Sequence, residues 1–251
     1  MSGHSKWATI KHKKGALDAK RGKLFSKLAR LIITAARKGG GDPDMNLHLR
    51  YAIDKAKAAN MTKDTIERAV KKGTGDLEGA AYESVVYEGY GPGGVALMID
   101  ILTDNRNRTA PEIRRIIENR GGALGSNNCV AWMFHNKGVF MIETSKIAED
   151  KLMEIVLEAG AEDMEVQGSQ YSVTCPTQAF DAVRKALDKA GIVPDLAEFQ
   201  RVPTQTVKLD LAKARQVLTL ISELEDHEDV QNVAANFDVD EEVMQTIAAE
   251  A

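Results

Sequence analysis

The sequence predicts an α+β protein: an N-terminal three-helix bundle with a basic arm, then two ferredoxin-like α/β sandwich domains, one inserted in the other. Three observations predict it. Charge is divided along the chain: residues 1–75 carry 18 Lys/Arg against 6 Asp/Glu, a balance of +12, while residues 76–251 carry a balance of −16, within a net charge of only −4. Apolar residues recur at helical spacing as far as residue 73, and β-rich segments begin only at residue 82. The later segments run ββαβ, then βαββαβ, then αβ, so the middle run is a complete split βαβ unit and the flanking pieces complete each other. The expected domains are therefore 1–78, a discontinuous 79–136 plus 204–251, and an inserted 137–203.

Residues 1–38 hold eleven Lys/Arg and one acid, Asp18. Basic charge so dense repels itself unless a polyanion or an acidic surface neutralises it, and nucleic acid is the usual polyanion. Trp7 and Ile10 stand alone among Gly, Ser, His and Lys, so the first half reads as an arm. From Leu24 the residues Leu24, Leu28, Leu31, Ile32 and Ala35 keep helical spacing while basic charge continues on the outer face. Gly39-Gly40-Gly41 ends this helix. Asp42-Pro43 reads as an N-cap and a first-turn proline for a second helix, with Leu49, Ala52, Ile53 and Ala56 inward. Thr62 caps a third, with Ile66, Ala69 and Val70 inward and Gly73 at its end.

Residues 82–88 and 95–103 are strand-like, rich in Val, Ile and Tyr. Between them, Gly89-Tyr90-Gly91-Pro92-Gly93-Gly94 matches GxGxxG. The dinucleotide motif needs a following helix to hold the pyrophosphate, and a strand follows here, so the glycines are assigned to a hairpin. Thr109 and Glu112 have capping-box spacing ahead of Ile113, Ile116 and Ile117. That places Arg106 and Arg108 in a loop at a helix N-terminus, where they either bind an anion or partner group or pair with acids such as Asp104. A strand is expected at 130–134. Strand 139–143, helix 150–159, strands 164–167 and 171–175, helix 178–190 and strand 197–200 form the inserted unit. Helix 211–224 and strand 230–237 complete the outer one.

Little in the sequence points to catalysis. The five histidines (His4, His12, His48, His135, His227) form no metal-ligand cluster, and no nucleophile has a partner base, so neither an enzyme, a metal nor a cofactor is expected. The acidic run 223–229 reads as a solvated turn, because consecutive residues do not converge on one point. Tyr82, Tyr87 and Tyr90 could stack on bases but suit ordinary sheet packing. Cys129 and Cys175 lack CxxC spacing and fit reduced thiols; with no secretory h-region and no long apolar run, a cytoplasmic protein without membrane contact is expected. The candidate nucleic-acid contacts are Lys6, Trp7, Lys11, His12, Lys13, Lys14, Lys20, Arg21, Lys23, Lys27 and Arg30. They argue for phosphate contact rather than base readout, since neither later helix of the bundle pairs base-reading side chains with a clear exposed face.

Gly3-His4-Ser5-Lys6-Trp7, Ile10-Lys11-His12-Lys13-Lys14, Asp18-Ala19-Lys20-Arg21-Gly22-Lys23, Gly39-Gly40-Gly41-Asp42-Pro43, Ile66-Glu67-Arg68-Ala69, Tyr87-Glu88-Gly89-Tyr90-Gly91-Pro92-Gly93-Gly94, Thr103-Asp104-Asn105-Arg106-Asn107-Arg108-Thr109 and Trp132-Met133-Phe134 resemble the YebC/PmpR family over essentially the whole chain. The departures are small: Thr9 stands where the family commonly has Asn, and Asn128-Cys129 where Gly-Ser is usual. The resemblance implies three domains, a cytoplasmic location and a role in gene expression. It implies either a DNA-binding transcriptional regulator or a ribosome-associated factor that binds structured RNA.

Overall fold

The computed structural model describes residues 18–77 and 82–250. The expected domain boundary at 78/79 and the arm before residue 18 lie outside them. Helix α1 (Asp18–Gly39) buries Leu28, Ile32, Ile33 and Ala36 on one stripe and stops at Gly40, whose φ of +85° suits glycine. Helix α2 (Leu47–Ala58) starts later than the Asp42-Pro43 signal predicts. Its cap is Asn46, whose side chain accepts from Leu49 N (3.1 Å) and whose amide donates to Ala35 O and Gly40 O (2.9 Å each). Asp42 instead accepts from Asp44 N within the connecting turn. Helix α3 (Lys63–Thr74) ends on left-handed Gly75 (φ +89°), not on Gly73. Gly73 lies inside the helix, where a Cβ would stand 2.6 Å from Ala36 Cβ and Ile33 O; its bare Cα lets α1 and α3 touch.

Strands β1 (Glu83–Tyr90) and β2 (Ala96–Thr103) form the expected antiparallel hairpin, turned by Gly93 and Gly94 at positive φ. Helix α4 (Arg106–Asn119) begins four residues earlier than the Thr109 box predicts, because Asn105 accepts from Arg108 N and caps it. β3 (Ala123–Leu124) pairs with the end of β1. The strand expected at 130–134 is absent: residues 131–133 make a 3-10 turn, and one long strand, β4 (Phe134–Glu143), follows. Next come α5 (Glu149–Glu158), β5 (Asp163–Gln167), β6 (Gln170–Pro176), α6 (Phe180–Lys189) and β7 (Leu196–Pro203). The chain closes with β8 (Val207–Lys208), α7 (Leu211–Asp226), β9 (Val230–Ala235), β10 (Phe237–Asp238) and α8 (Glu241–Glu250). The sequence predicts none of β3, β8 and α8, and it runs β9 and the start of β10 together as one strand, 230–237.

The first sheet has the order β3-β1-β2-β9 and the second β5-β6-β4-β7. In the second, two βα units interleave as in a ferredoxin-like sheet. The first has the same spatial order, with the connection permuted so that the C-terminal strand β9 fills the edge beside β2. Helices α4 and α7 cover one face of it, burying Ile99, Ile101, Ile113, Ile117, Leu218 and Ile221 together. Helices α5 and α6 cover the second around Phe140, Val156, Val173 and Phe180.

Helix α2 fixes the bundle on the second sheet unit. Tyr51 meets Phe180 and Phe199 edge-on (6.2 and 5.4 Å between centroids). Arg50 pairs with Asp181 (2.9 Å), Asp54 with Arg184 (3.1 Å) and Lys55 with Glu198 (2.7 Å). Burial drives the Tyr51 hydroxyl up to about 12 and opposes the charge on Lys55, but the Glu198 carboxylate more than offsets this and raises the Lys55 pKa.

Candidate nucleic-acid interface

Of the candidate contacts, Lys6, Trp7, Lys11, His12, Lys13 and Lys14 lie outside the described residues. Lys20 and Arg21 fall in the first turn of α1, and Lys23 is exposed one turn on. Lys27 and Arg30 continue at helical spacing but meet the protein itself. Lys27 Nζ donates to the Glu225 carbonyl oxygen. Arg30 donates to Asp229 Oδ1 (2.7 Å), to Glu228 O (3.1 Å) and to Glu228 Oε2 (3.3 Å), with its guanidinium 5.4 Å from the centre of the Tyr82 ring. The two cations are thus taken up by the last turn of α7 and by the acidic segment between it and β9.

That segment is not the solvated turn its composition predicts. The Asp229 side chain is 1% exposed. Besides Arg30 it accepts from Arg108 Nη2 (2.8 Å), Thr109 Oγ1 (2.7 Å) and Thr103 Oγ1 (3.1 Å). One carboxylate therefore joins α1, the end of β2, the first turn of α4 and the start of β9. Burial alone raises its pKa, but the hydrogen bonds from Arg108, Thr109 and Thr103, with the Arg108 charge, prevail and hold it below the ordinary aspartate value. The Asp229 N–H donates to His227 Nδ1 (3.1 Å), so His227 Nε2 carries the proton that meets Glu112 Oε2 at 3.0 Å.

Arg108 also touches Asp104 (3.1 Å), the pairing that its sequence context offered as an alternative to anion binding. Arg106 is largely exposed, with Glu83 at 3.9 Å as a loose neighbour. The structure adds cations that sequence reasoning did not single out. Arg68, Lys71 and Lys72 are exposed on α3, and Lys38 at the end of α1, and the Gly73–Ala36 contact brings these helix ends together. Their signals in the sequence are the +12 balance, the count of cations in residues 1–38 for Lys38 and the motif Ile66-Glu67-Arg68-Ala69 for Arg68. A bland role exists too: cations in the last turn complement a helix dipole. Among the described residues no group of His, Cys, Asp and Glu is placed to hold a metal, and no helix is long and apolar enough to cross a membrane.

The whole chain is similar to known proteins. Residues 5–76 match the TACO1/YebC protein N-terminal domain, and residues 82–237 match the TACO1/YebC second and third domain. A protein of Syntrophobacter fumaroxidans named "Probable transcriptional regulatory protein" is 54% identical over 249 residues, covering 99% of this chain and 100% of its own. One of Geobacter sulfurreducens with the same designation is 53% identical over 247 residues, covering 98% and 100%. The crystal structure of a conserved hypothetical protein from Aquifex aeolicus superposes with a TM-score of 0.81 at 44% identity, covering 91% of this chain and 94% of that one.

Proposed function

The chain belongs to the TACO1/YebC family, whose relatives carry the names of regulators rather than of an enzyme class, and from that membership we propose that it is a cytoplasmic DNA-binding transcriptional regulator. It grips phosphates through its basic N-terminal module. One observation carries the reading: the balance of +12 is confined to residues 1–75, while the −16 of the remainder would repel a second approach of the same polyanion. Lys6, Trp7, Lys11, His12, Lys13, Lys14, Lys20, Arg21 and Lys23 make the primary contacts, extended by Arg68, Lys71 and Lys72. In this reading Lys27 and Arg30 aim the module by tethering α1 to the acidic segment. Arg106 and the exposed edge of Arg108 offer a second anion site at the start of α4.

Structured RNA on the ribosome is the alternative ligand, and a specific observation favours it. The exposed face of α3 offers Arg68, Lys71 and Lys72, which can reach guanine edges, but no Asn or Gln for adenine, so it suits phosphate and shape better than a mixed base sequence in a major groove. The test replaces Lys11, Lys13 and Lys14 by Gln and measures affinity for duplex DNA and for structured RNA across a salt series. Weaker binding is expected, with the log–log salt slope on DNA reduced by about 2–3 units. Unchanged affinity and slope on both would remove the arm from the interface. Preference for RNA with co-sedimentation on ribosomes at moderate salt would select the alternative.

A further inference from the structure

Residues 121–133, between α4 and β4, contain no charged side chain, in a chain of which 28% is charged. The segment is largely exposed yet firmly built. The Glu88 carboxylate, on β1 and only 7% exposed, accepts the N–H groups of Asn128 (2.7 Å), Val130 (2.9 Å) and Ala131 (2.9 Å). The Gly125 N–H bonds the Glu88 carbonyl at 2.8 Å. Four loop donors thus end on one residue of the sheet.

On this frame stand two exposed aromatic rings, Trp132 (61%) and Tyr90 (38%). Trp132 Nε1 donates to the Cys129 carbonyl oxygen at 3.2 Å, and the Tyr90 hydroxyl donates to the same oxygen at 3.3 Å. Both polar handles are satisfied inside the protein, so what each side chain shows to solvent is ring surface. Aromatic rings held open to water with no hydrogen bond left to make are in place to be covered.

We propose that Trp132 and Tyr90 form a stacking platform for unpaired bases of the nucleic-acid ligand, an inference that rests on the nucleic-acid reading above. Stacking needs a flat π face and no charge, which is what this segment offers. Exposed Ser126, Asn127 and Asn128 stand beside it with groups suited to base edges. A protein partner is met by a broad apolar patch, whereas the large apolar side chains exposed here are these two rings. The platform sits where β1 ends and β2 begins, and the Asp229 junction with α1 sits at the far end of β2. Eight extended residues separate them by about 25 Å, so a ligand that reaches from the basic helix to the platform spans at least that distance.

The test uses Trp7→Phe protein, in which Trp132 is the remaining indole. It is titrated with a single-stranded oligonucleotide and with an abasic oligomer of equal length. Quenching of the indole by the base-bearing strand alone is expected. Trp132→Ala in the same background weakens binding about ten-fold with an unchanged salt slope, while Trp132→Phe keeps most of the affinity. Circular dichroism checks that the folds match. Equal binding of both oligomers, unaffected by Trp132→Ala, overturns the platform and leaves the nucleic-acid reading standing. Binding of no oligomer, duplex or structured RNA by the chain with Trp7 intact overturns both. Unchanged oligonucleotide affinity with loss of a protein partner reassigns the rings to protein docking and overturns the proposal.

Discussion

A carboxylate with four side-chain donors around it and 1% exposure is stable only while charged, and Asp229 shows how one residue can hold four elements. Removing its charge strands the Arg30 and Arg108 guanidinium groups beside an amide whose NH2 can face them. Asp229→Asn is expected to cost about 3 kcal/mol in denaturant unfolding near neutral pH. The sign of the pH dependence follows from a folded pKa held below the unfolded one. The wild type's advantage is full above the unfolded aspartate pKa of about 3.9 and fades as pH falls through the lower folded value, so the two proteins converge in strong acid. A gap that persists unchanged to the lowest pH would contradict this linkage. The sequence could not single out Asp229, because the acidic run 223–229 differs from a solvated turn only in which carboxylate points inward. For the same reason composition could not separate Arg30 and Lys27, which meet that segment, from the exposed Lys23. The Arg108–Asp104 pairing was visible, because the two residues are four apart.

Elements were legible where periodicity is long and blurred where two local signals compete. The helical spacing of Leu24, Leu28, Leu31, Ile32 and Ala35 and the apolar, Val- and Ile-containing run 95–103 need no tertiary knowledge. The start of α2 does: Asp42-Pro43 and Asn46 are both acceptable N-caps, and the choice is made by the two carbonyls that the Asn46 amide reaches on α1. The start of α4 is similar, with Asn105 winning over Thr109 because the Thr109 hydroxyl is drawn to Asp229. Gly73 reads as a helix end until its contact with Ala36 is seen. The strand expected at 130–134 fails because Glu88 captures the Val130 and Ala131 N–H groups and bends the chain. These choices are testable at the α2 cap. Asn46→Ala removes a cap and two further hydrogen bonds, one buried and one half-buried, and is expected to lower stability by about 2 kcal/mol, whereas Asp42→Ala changes it little. Equal losses from the two substitutions in thermal unfolding would restore Asp42 as the effective cap.

At the scale of the molecule, the sequence order ββαβ, βαββαβ, αβ already implied that the last helix and strand return to the first sheet, and β9 does pair with β2. What it could not give is how the three parts seat on one another, since those contacts join residues far apart in the chain. Helix α2 rests on α6 and β7 through Tyr51, Arg50, Asp54 and Lys55, and α1 rests on the α7–β9 junction through Arg30. Arg201 on β7 grips Asp100 on β2 at 2.6 Å, tying the two sheets together. The entry and exit of the second sheet unit are adjacent: Thr204 N donates to Met133 O at 2.8 Å. We therefore propose that residues 134–203 are an insertion that can be cut out whole, a boundary that keeps β4 intact where the expected 137 would divide it. Replacing them by a short Gly/Ser bridge is expected to leave the first sheet and the bundle folded, because α4, α7 and the β3-β1-β2-β9 core bury their side chains without them. The bundle should then melt at lower temperature than in the full chain, having lost the Tyr51 and Lys55 contacts, while the Asp229 junction keeps it docked. Circular dichroism and denaturant unfolding of the shortened protein decide the matter. Material recovered only as aggregate, with no cooperative transition, would mean that the second sheet unit is part of the fold rather than an insertion in it.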